Sequence, residues 1–172
     1  MTQRDPHCRK TFLVVGMGNE IMGDDAAGIL AARALKSRWH AGIDIVETSE
    51  AGLALLDHLE GYDCALILDT VVTGTCIPGT IRELSLDDFK QTSASSPHVV
   101  GLAEVAGIAR SLEIPFPPTV SVLTLEVEDP FAIRQGLTAT IAQRLSEFVR
   151  AAEEIVLSWG IEMQKDATNN PA

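Results

Sequence analysis

Four short apolar runs, at residues 12–15, 43–46, 65–68 and 120–125, alternate with stretches of helical periodicity, and this order constrains the chain more than any other feature. Each run is bounded by Gly, Asp, Thr or Pro and several are rich in β-branched residues, so they read as strands. The mainly apolar character of the first three predicts strands covered on both faces, as in a parallel sheet. A fifth strand, 79–84, follows the turn signal Ile77-Pro78-Gly79 and is expected at an edge. Helices are expected at 26–39, 52–59 and 99–112, the last so apolar that it should be covered on most sides. In the final helix Leu137, Ile141, Leu145, Phe148, Val149, Ala152, Ile155, Val156 and Trp159 recur at helical spacing, a stripe that packs on a sheet. The predicted fold is a single three-layer α/β/α domain around a mostly parallel, twisted sheet of about five strands, with ligands bound near the carboxyl ends of the strands.

At 172 residues and 46% apolar composition the chain can bury one core, expected over 11–159, with flexible ends at 1–10 and 160–172. A net charge of −11 would repel a phosphate backbone, so nucleic acid is excluded as a partner, whereas a basic peptide segment is compatible. Cys8, Cys64 and Cys76 are odd in number and lack Cys-x-x-Cys spacing, which fits reduced thiols in a cytoplasm. The N-terminal segment is polar and the apolar run behind it is too short for a signal peptide or a membrane span, so no membrane location is expected.

Chemistry is concentrated at three places. Gly16-Met17-Gly18-Asn19-Glu20-Ile21-Met22-Gly23-Asp24-Asp25 is a Gly-rich turn from the first strand into the first helix. It could cradle a phosphate, with Glu47 on a ribose hydroxyl, but the dinucleotide fingerprint needs a small residue where Ile21 stands. Tight-turn geometry explains the glycines in either case. Asp69 ends the third run, at the ligand-binding edge of a parallel sheet, although a lone strand-end Asp often only caps a turn. His98 follows Ser96 and Pro97, which read as N-cap and first helical residue, and a helix N-terminus favours the neutral ring that ligates metals. A lone histidine is nonetheless more often structural.

The predicted topology lets Asp25, Asp69 and His98 converge at one end of the sheet. Two carboxylates about 4 Å apart repel by roughly 4 kcal/mol at an effective dielectric of 20, and a divalent cation relieves that. Two carboxylates and one imidazole suit nickel, zinc or manganese, with positions left open for water or a partner's ligands.

At these residues the chain resembles the hydrogenase maturation proteases, endopeptidases that remove a C-terminal peptide from the precursor of a nickel-iron hydrogenase large subunit. The resemblance lies in Val15-Gly16-Met17-Gly18-Asn19 with Gly23-Asp24-Asp25, in Leu68-Asp69, and in Ser96-Pro97-His98 with Gly101-Leu102-Ala103. It continues through Pro78-Gly79-Thr80 and Gly136-Leu137-Thr138, spanning about 11–158. It implies that Asp25, Asp69 and His98 are both the catalytic residues and the metal ligands. It also implies nickel carried by the substrate, with no tightly bound cofactor of the protein's own, although zinc or cadmium could occupy the site. The expected partner is the nickel-loaded precursor, processed by an aspartic-type endopeptidase in the cytoplasm. One departure stands out: the family carries an Asp-Gly-Gly-Thr type segment after the second strand, where this chain has Glu47-Thr48-Ser49-Glu50.

No His-Glu-x-x-His and no Gly-x-Ser-x-Gly is present, which fits a protease that inspects a metal already in its substrate. A receiver-type signalling domain also places acids around a metal, but it needs its acidic pair at the end of the first strand and a Lys after the fifth. Asp24 and Asp25 lie well beyond Val15, and residues 122–128 contain no Lys. A non-catalytic metal- or nucleotide-binding module on the same fold is the other alternative.

Overall fold

A computed structural model describes residues 11–39, 42–86, 88 and 101–160. Strands β1 (Phe12–Met17), β2 (Asp44–Thr48), β3 (Cys64–Val71), β4 (Ile81–Ser85) and β5 (Thr119–Glu126) form one sheet in the order β2-β1-β3-β5-β4. All neighbours are parallel except β4, which runs antiparallel on β5 at the edge. The helices are α1 (Ala27–Lys36), α2 (Leu55–Leu59), α3 (Leu102–Ser111) and α4 (Ala139–Ser158). Short 3-10 turns, Gly23–Ala26 and Gly52–Ala54, lead into α1 and α2. The layered α/β architecture and the edge position of the 79–84 segment agree with the sequence reading.

Side-chain alternation divides the sheet into two faces. Val14, Leu66, Leu68, Leu123 and Leu125 point to α1 and α4, where they meet Ala31, Leu35, Phe148, Ala152 and Val156. Leu13, Val15, Met17, Ala65, Ile67 and Val122 point the other way, to Leu55, Leu59 and Leu102 of α2 and α3. Phe148 is fully buried, and truncating such a residue to Ala costs about 3–5 kcal/mol. The helical stripe of the last helix is therefore core, as its spacing predicts.

Three expectations are corrected. β3 does not stop at Leu68: Asp69, Thr70 and Val71 stay in register with β5, so Asp69 lies within the strand. β2 is an edge strand with Asp44 exposed and Ile45 and Val46 half-buried, so only β1 and β3 are covered on both faces as expected. α3 is not covered on most sides. It buries Leu102, Val105 and Ala109, while Ile108 and Leu112 are exposed, because it lies on the outside of the sheet with solvent beyond it.

Candidate active site

The turn after β1 owes its path to glycine. A Cβ on Gly28 would stand 2.3 Å from the carbonyl oxygens of Met17 and Leu68, and one on Gly16 would stand 2.4 Å from Cβ of Ala32. Helix α1 is thus seated directly on the backbones of β1 and β3. A Cβ on Gly18 would lie 1.9 Å from the carbonyl oxygen of Asp25, so the chain folds back over Gly18 before the helix begins. The small residue needed for close helix–strand packing is therefore Gly28, and Ile21, where the dinucleotide fingerprint wants it, is 65% exposed.

The adjacent acids of this turn have different tasks. Asp24 accepts hydrogen bonds from Thr138 through both oxygens, from the backbone N at 2.6 Å and from Oγ1 at 2.9 Å. Thr138 is the N-cap of α4 and accepts from Ile141 N with the same hydroxyl. Asp24 thereby ties the turn to the positive end of α4, where a carboxylate is favoured. Asp25 turns toward the sheet: Thr70 Oγ1 donates to its Oδ1 at 3.2 Å, a buried contact. Asp24 is thus committed to the helix cap, while Asp25 has no exposed surface.

Asp69, equally buried, immediately precedes Thr70 on β3. Thr70 lies on the α1 face and Asp69 on the α3 face, so the two acids approach the carboxyl end of β3 from opposite sides of the sheet. The structure thus brings Asp25 to the residue beside Asp69. His98 lies outside the described residues. The helix expected over 99–112 is α3, which starts at Leu102 behind Gly101, its N-cap, with a left-handed backbone at φ 91°; Ser96 and Pro97 also lie outside the described residues. Among the described residues no three His, Cys, Asp or Glu side chains form a metal-binding group. The donors present, two buried carboxylates with a hydroxyl oriented on one of them, are of the type that hard and borderline cations take.

Beside these acids a groove of about 380 Å³ is lined by Gly18, Asn19, Glu20, Ile29, Glu47, Thr48 and Ser49. Glu47 does not wait for a ribose. Its Oε2 receives Nη2 and Nε of Arg33 at 2.6 and 3.1 Å, while Nη1 of the same guanidinium holds Glu20 at 2.9 Å. Arg33 draws the Glu20 carboxyl below its ordinary range, and the two acids raise the guanidinium's own pKa. Glu50, also in the departing segment, meets Nε2 of His58 at 2.7 Å.

Two polar residues of this end of the sheet went unselected from sequence. Glu126, at the end of β5, is buried and accepts from Thr73 N at 2.7 Å, Thr73 Oγ1 at 2.9 Å and Gly74 N at 3.3 Å, which fastens the loop after β3. Arg82 on β4 sits across β5 from Asp69. Glu126 follows directly on the apolar run 120–125, an acid at a strand end like Asp69, and that was its signal in the sequence; Arg82 had none until β4 is paired on β5.

The hydrogenase maturation protease family pattern matches residues 29–156. The chain is 30% identical over 149 residues to the Hydrogenase 2 maturation protease of Escherichia coli, covering 83% of this chain and 91% of that protein. Its fold is similar to that of the hydrogenase maturating endopeptidase HybD from E. coli, with a TM-score of 0.76 and 26% identity over 88% of this chain and 95% of the other. The NiFe hydrogenase maturation protease HybD from Thermococcus kodakarensis shares the fold at 20% identity, with a TM-score of 0.67 and coverage of 84% and 98%. Because the family pattern spans most of the chain and the E. coli relative is matched along nearly its whole length, this chain belongs to the hydrogenase maturation proteases.

Proposed function

We propose that this endopeptidase removes a C-terminal peptide from the precursor of a nickel-iron hydrogenase large subunit once nickel has been inserted, and that Asp25, Asp69 and His98 engage the substrate's nickel. The observation that carries the reading is the delivery of Asp25, through its bond with Thr70, to the strand position next to Asp69. Each acid is fully buried and comes from a different element, and each stands at the edge of the sheet where α/β folds bind ligands. A buried carboxylate is favoured by a cation close to it, and the substrate's nickel would supply one at this end of the sheet. A metal held there polarises a carbonyl or a water. No described helix is long and apolar enough to cross a membrane, and a cytoplasmic location is part of this proposal.

The test mixes the purified chain with nickel-loaded and nickel-free precursor and follows loss of the C-terminal peptide by mass spectrometry. Only the loaded form should be cleaved. Asp69→Asn and His98→Ala should each abolish cleavage while leaving the circular dichroism spectrum and thermal midpoint near those of the parent. Efficient processing by both variants, or equal cleavage of nickel-free precursor, would reject the proposal.

A further inference from the structure

The register of the sheet aligns one row of side chains across its carboxyl end. Thr48 pairs with Met17, Asp69 with Thr124, and Thr124 with Arg82; Gly16 opposite Leu68 places Met17 beside Asp69. Directly paired residues project to the same face, here the α2 and α3 face, on which Met17 and Val122 are packed. Ile81, the neighbour of Arg82, packs on the opposite face, which confirms the assignment. Arg82 is thus two strands from Asp69, roughly 10 Å between backbones at 4.8 Å per strand. Between them Thr124, itself buried, directs its hydroxyl to the carbonyl oxygen of Arg82 at 3.1 Å, which leaves the guanidinium as the polar group of that end of the row.

Nη2 of Arg82 is buried and makes no hydrogen bond. In a chain with 24 Asp and Glu residues, no described acceptor is set on this nitrogen. A buried charged donor left unmatched is costly, and such groups are retained where something else supplies the acceptor. At the other end of the row, Thr48 lines the groove that contains Glu20 and Glu47, two carboxylates with one guanidinium between them. Glu47, next to Thr48 on β2, is bonded to Arg33 of α1 and so lies on the opposite face, which leaves Arg82, with an unused donor, as the cation of the row at its β4 side.

We propose that Arg82 is a substrate-binding residue whose guanidinium receives a carboxylate of the peptide being removed, and so fixes the direction in which the precursor's tail lies across the strand ends. This rests on the proteolytic reading above. The departing segment lies toward β4, and the part of the precursor that stays lies toward β2. The carboxylate is either the terminal one or that of an acidic side chain, since both present the planar oxygen pair that a guanidinium recognises.

The test uses the full-length chain and a synthetic peptide with the C-terminal sequence of a candidate large-subunit precursor, fluorescently labelled at its N-terminus. Arg82→Gln should weaken binding of this peptide about tenfold to a hundredfold, the span expected for a charge-assisted hydrogen-bond pair. Arg82→Lys should fall between, because it keeps the charge and loses the fork. In cleavage assays the loss should appear in KM with kcat nearly kept, which a general loosening of the fold would not produce. Amidating the peptide's C-terminus, or replacing its acidic side chains by amides, identifies the source: one of these should match the Arg82→Gln loss and have no further effect in that variant. Parent-like affinity in Arg82→Gln, losses that simply add, or no binding of the peptide by the parent protein would each overturn the assignment. Should the parent bind the peptide through Arg82 yet cleave no loaded precursor, the proteolytic reading would fail and the binding assignment would stand.

Discussion

The two faces of the sheet are built to different tolerances. On the α1 and α4 face, helix and strand are in backbone contact through Gly16 and Gly28, and a continuous cluster from Val14 to Val156 fills the layer. On the other face α2 spans only Leu55–Leu59, α3 leaves Ile108 and Leu112 to solvent, and a row near the carboxyl end of the sheet carries the polar residues Asp69, Thr124 and Arg82. The candidate site takes one acid from each: Asp25 rides on the tight face, Asp69 on the thin one. A rigid layer fixes the angle at which one carboxylate arrives, and a thinner layer leaves room for polar groups and for a substrate.

The sharpest way to break this contrast is Gly28→Ala. The new methyl would meet two carbonyl oxygens of separate strands, neither of which can rotate away, so α1 must lift from the sheet. A loss of about 3 kcal/mol is expected, at the upper end for overpacking, read as a lower urea midpoint at unchanged slope. Processing should fall with it, since the turn that leads into this helix carries Asp25 to Thr70. An unaltered midpoint would show that the close approach is not needed.

Asp24→Ala comes next. It strands the backbone N–H and hydroxyl of Thr138, both held by the lost carboxylate, and should cost about 2 kcal/mol, with the folded fraction accounting for any drop in processing. Asp25→Asn should do the reverse, leaving the urea midpoint within about 1 kcal/mol of the parent while cleavage disappears. Matching behaviour of the two variants would erase the division of labour between neighbouring acids. Thr70→Val tests the bond between them and the sheet. Removing the hydroxyl that orients Asp25 should lower affinity for a probe cation such as cadmium about tenfold, the range for a residue that orients a ligand, as read by calorimetric titration.

The tight face was legible in the sequence and the thin one much less so. The alternation of strands and helices, the helical stripe ending at Trp159 and the role of Gly18 as a turn residue follow from local pattern, whereas Gly16 proves to lie within β1, against α1. The division between Asp24 and Asp25 was not readable from the residues themselves, because it depends on Thr138, far along the chain and adjacent only after folding. Arg82 was hidden for a related reason: nothing within 79–84 marks which residue will share a row with Asp69 until β4 is paired antiparallel on β5. The start of α3 at Leu102, where 99 was expected, depends on the left-handed backbone of Gly101, which the apolar run around it does not announce. Glu47 looked like a free acid at a strand end. Its partner Arg33 belongs to a helix that passes over β2 only in the folded chain.

The smallest expected effect is also the cleanest, since it applies the same chemical change to the other face. Gly107 lies inside α3, and a Cβ there would meet nothing within 4 Å. Gly107→Ala therefore adds no clash and removes the backbone freedom that glycine gives the unfolded chain, a gain of about 0.5–1 kcal/mol. For a chain of this size that raises the thermal midpoint by about 2–3 °C. One methyl would thus destabilise the protein when added to the helix on β1 and β3 and stabilise it when added to the helix above Asp69. The opposite signs follow from where each glycine faces, Gly28 the strand backbones and Gly107 the solvent, because helix propensity alone would make both substitutions favourable. If Gly107→Ala were instead destabilising, the outer side of α3 would have to be covered, against the exposure of Gly107, Ile108 and Leu112, and this face of the sheet would be no thinner than the other.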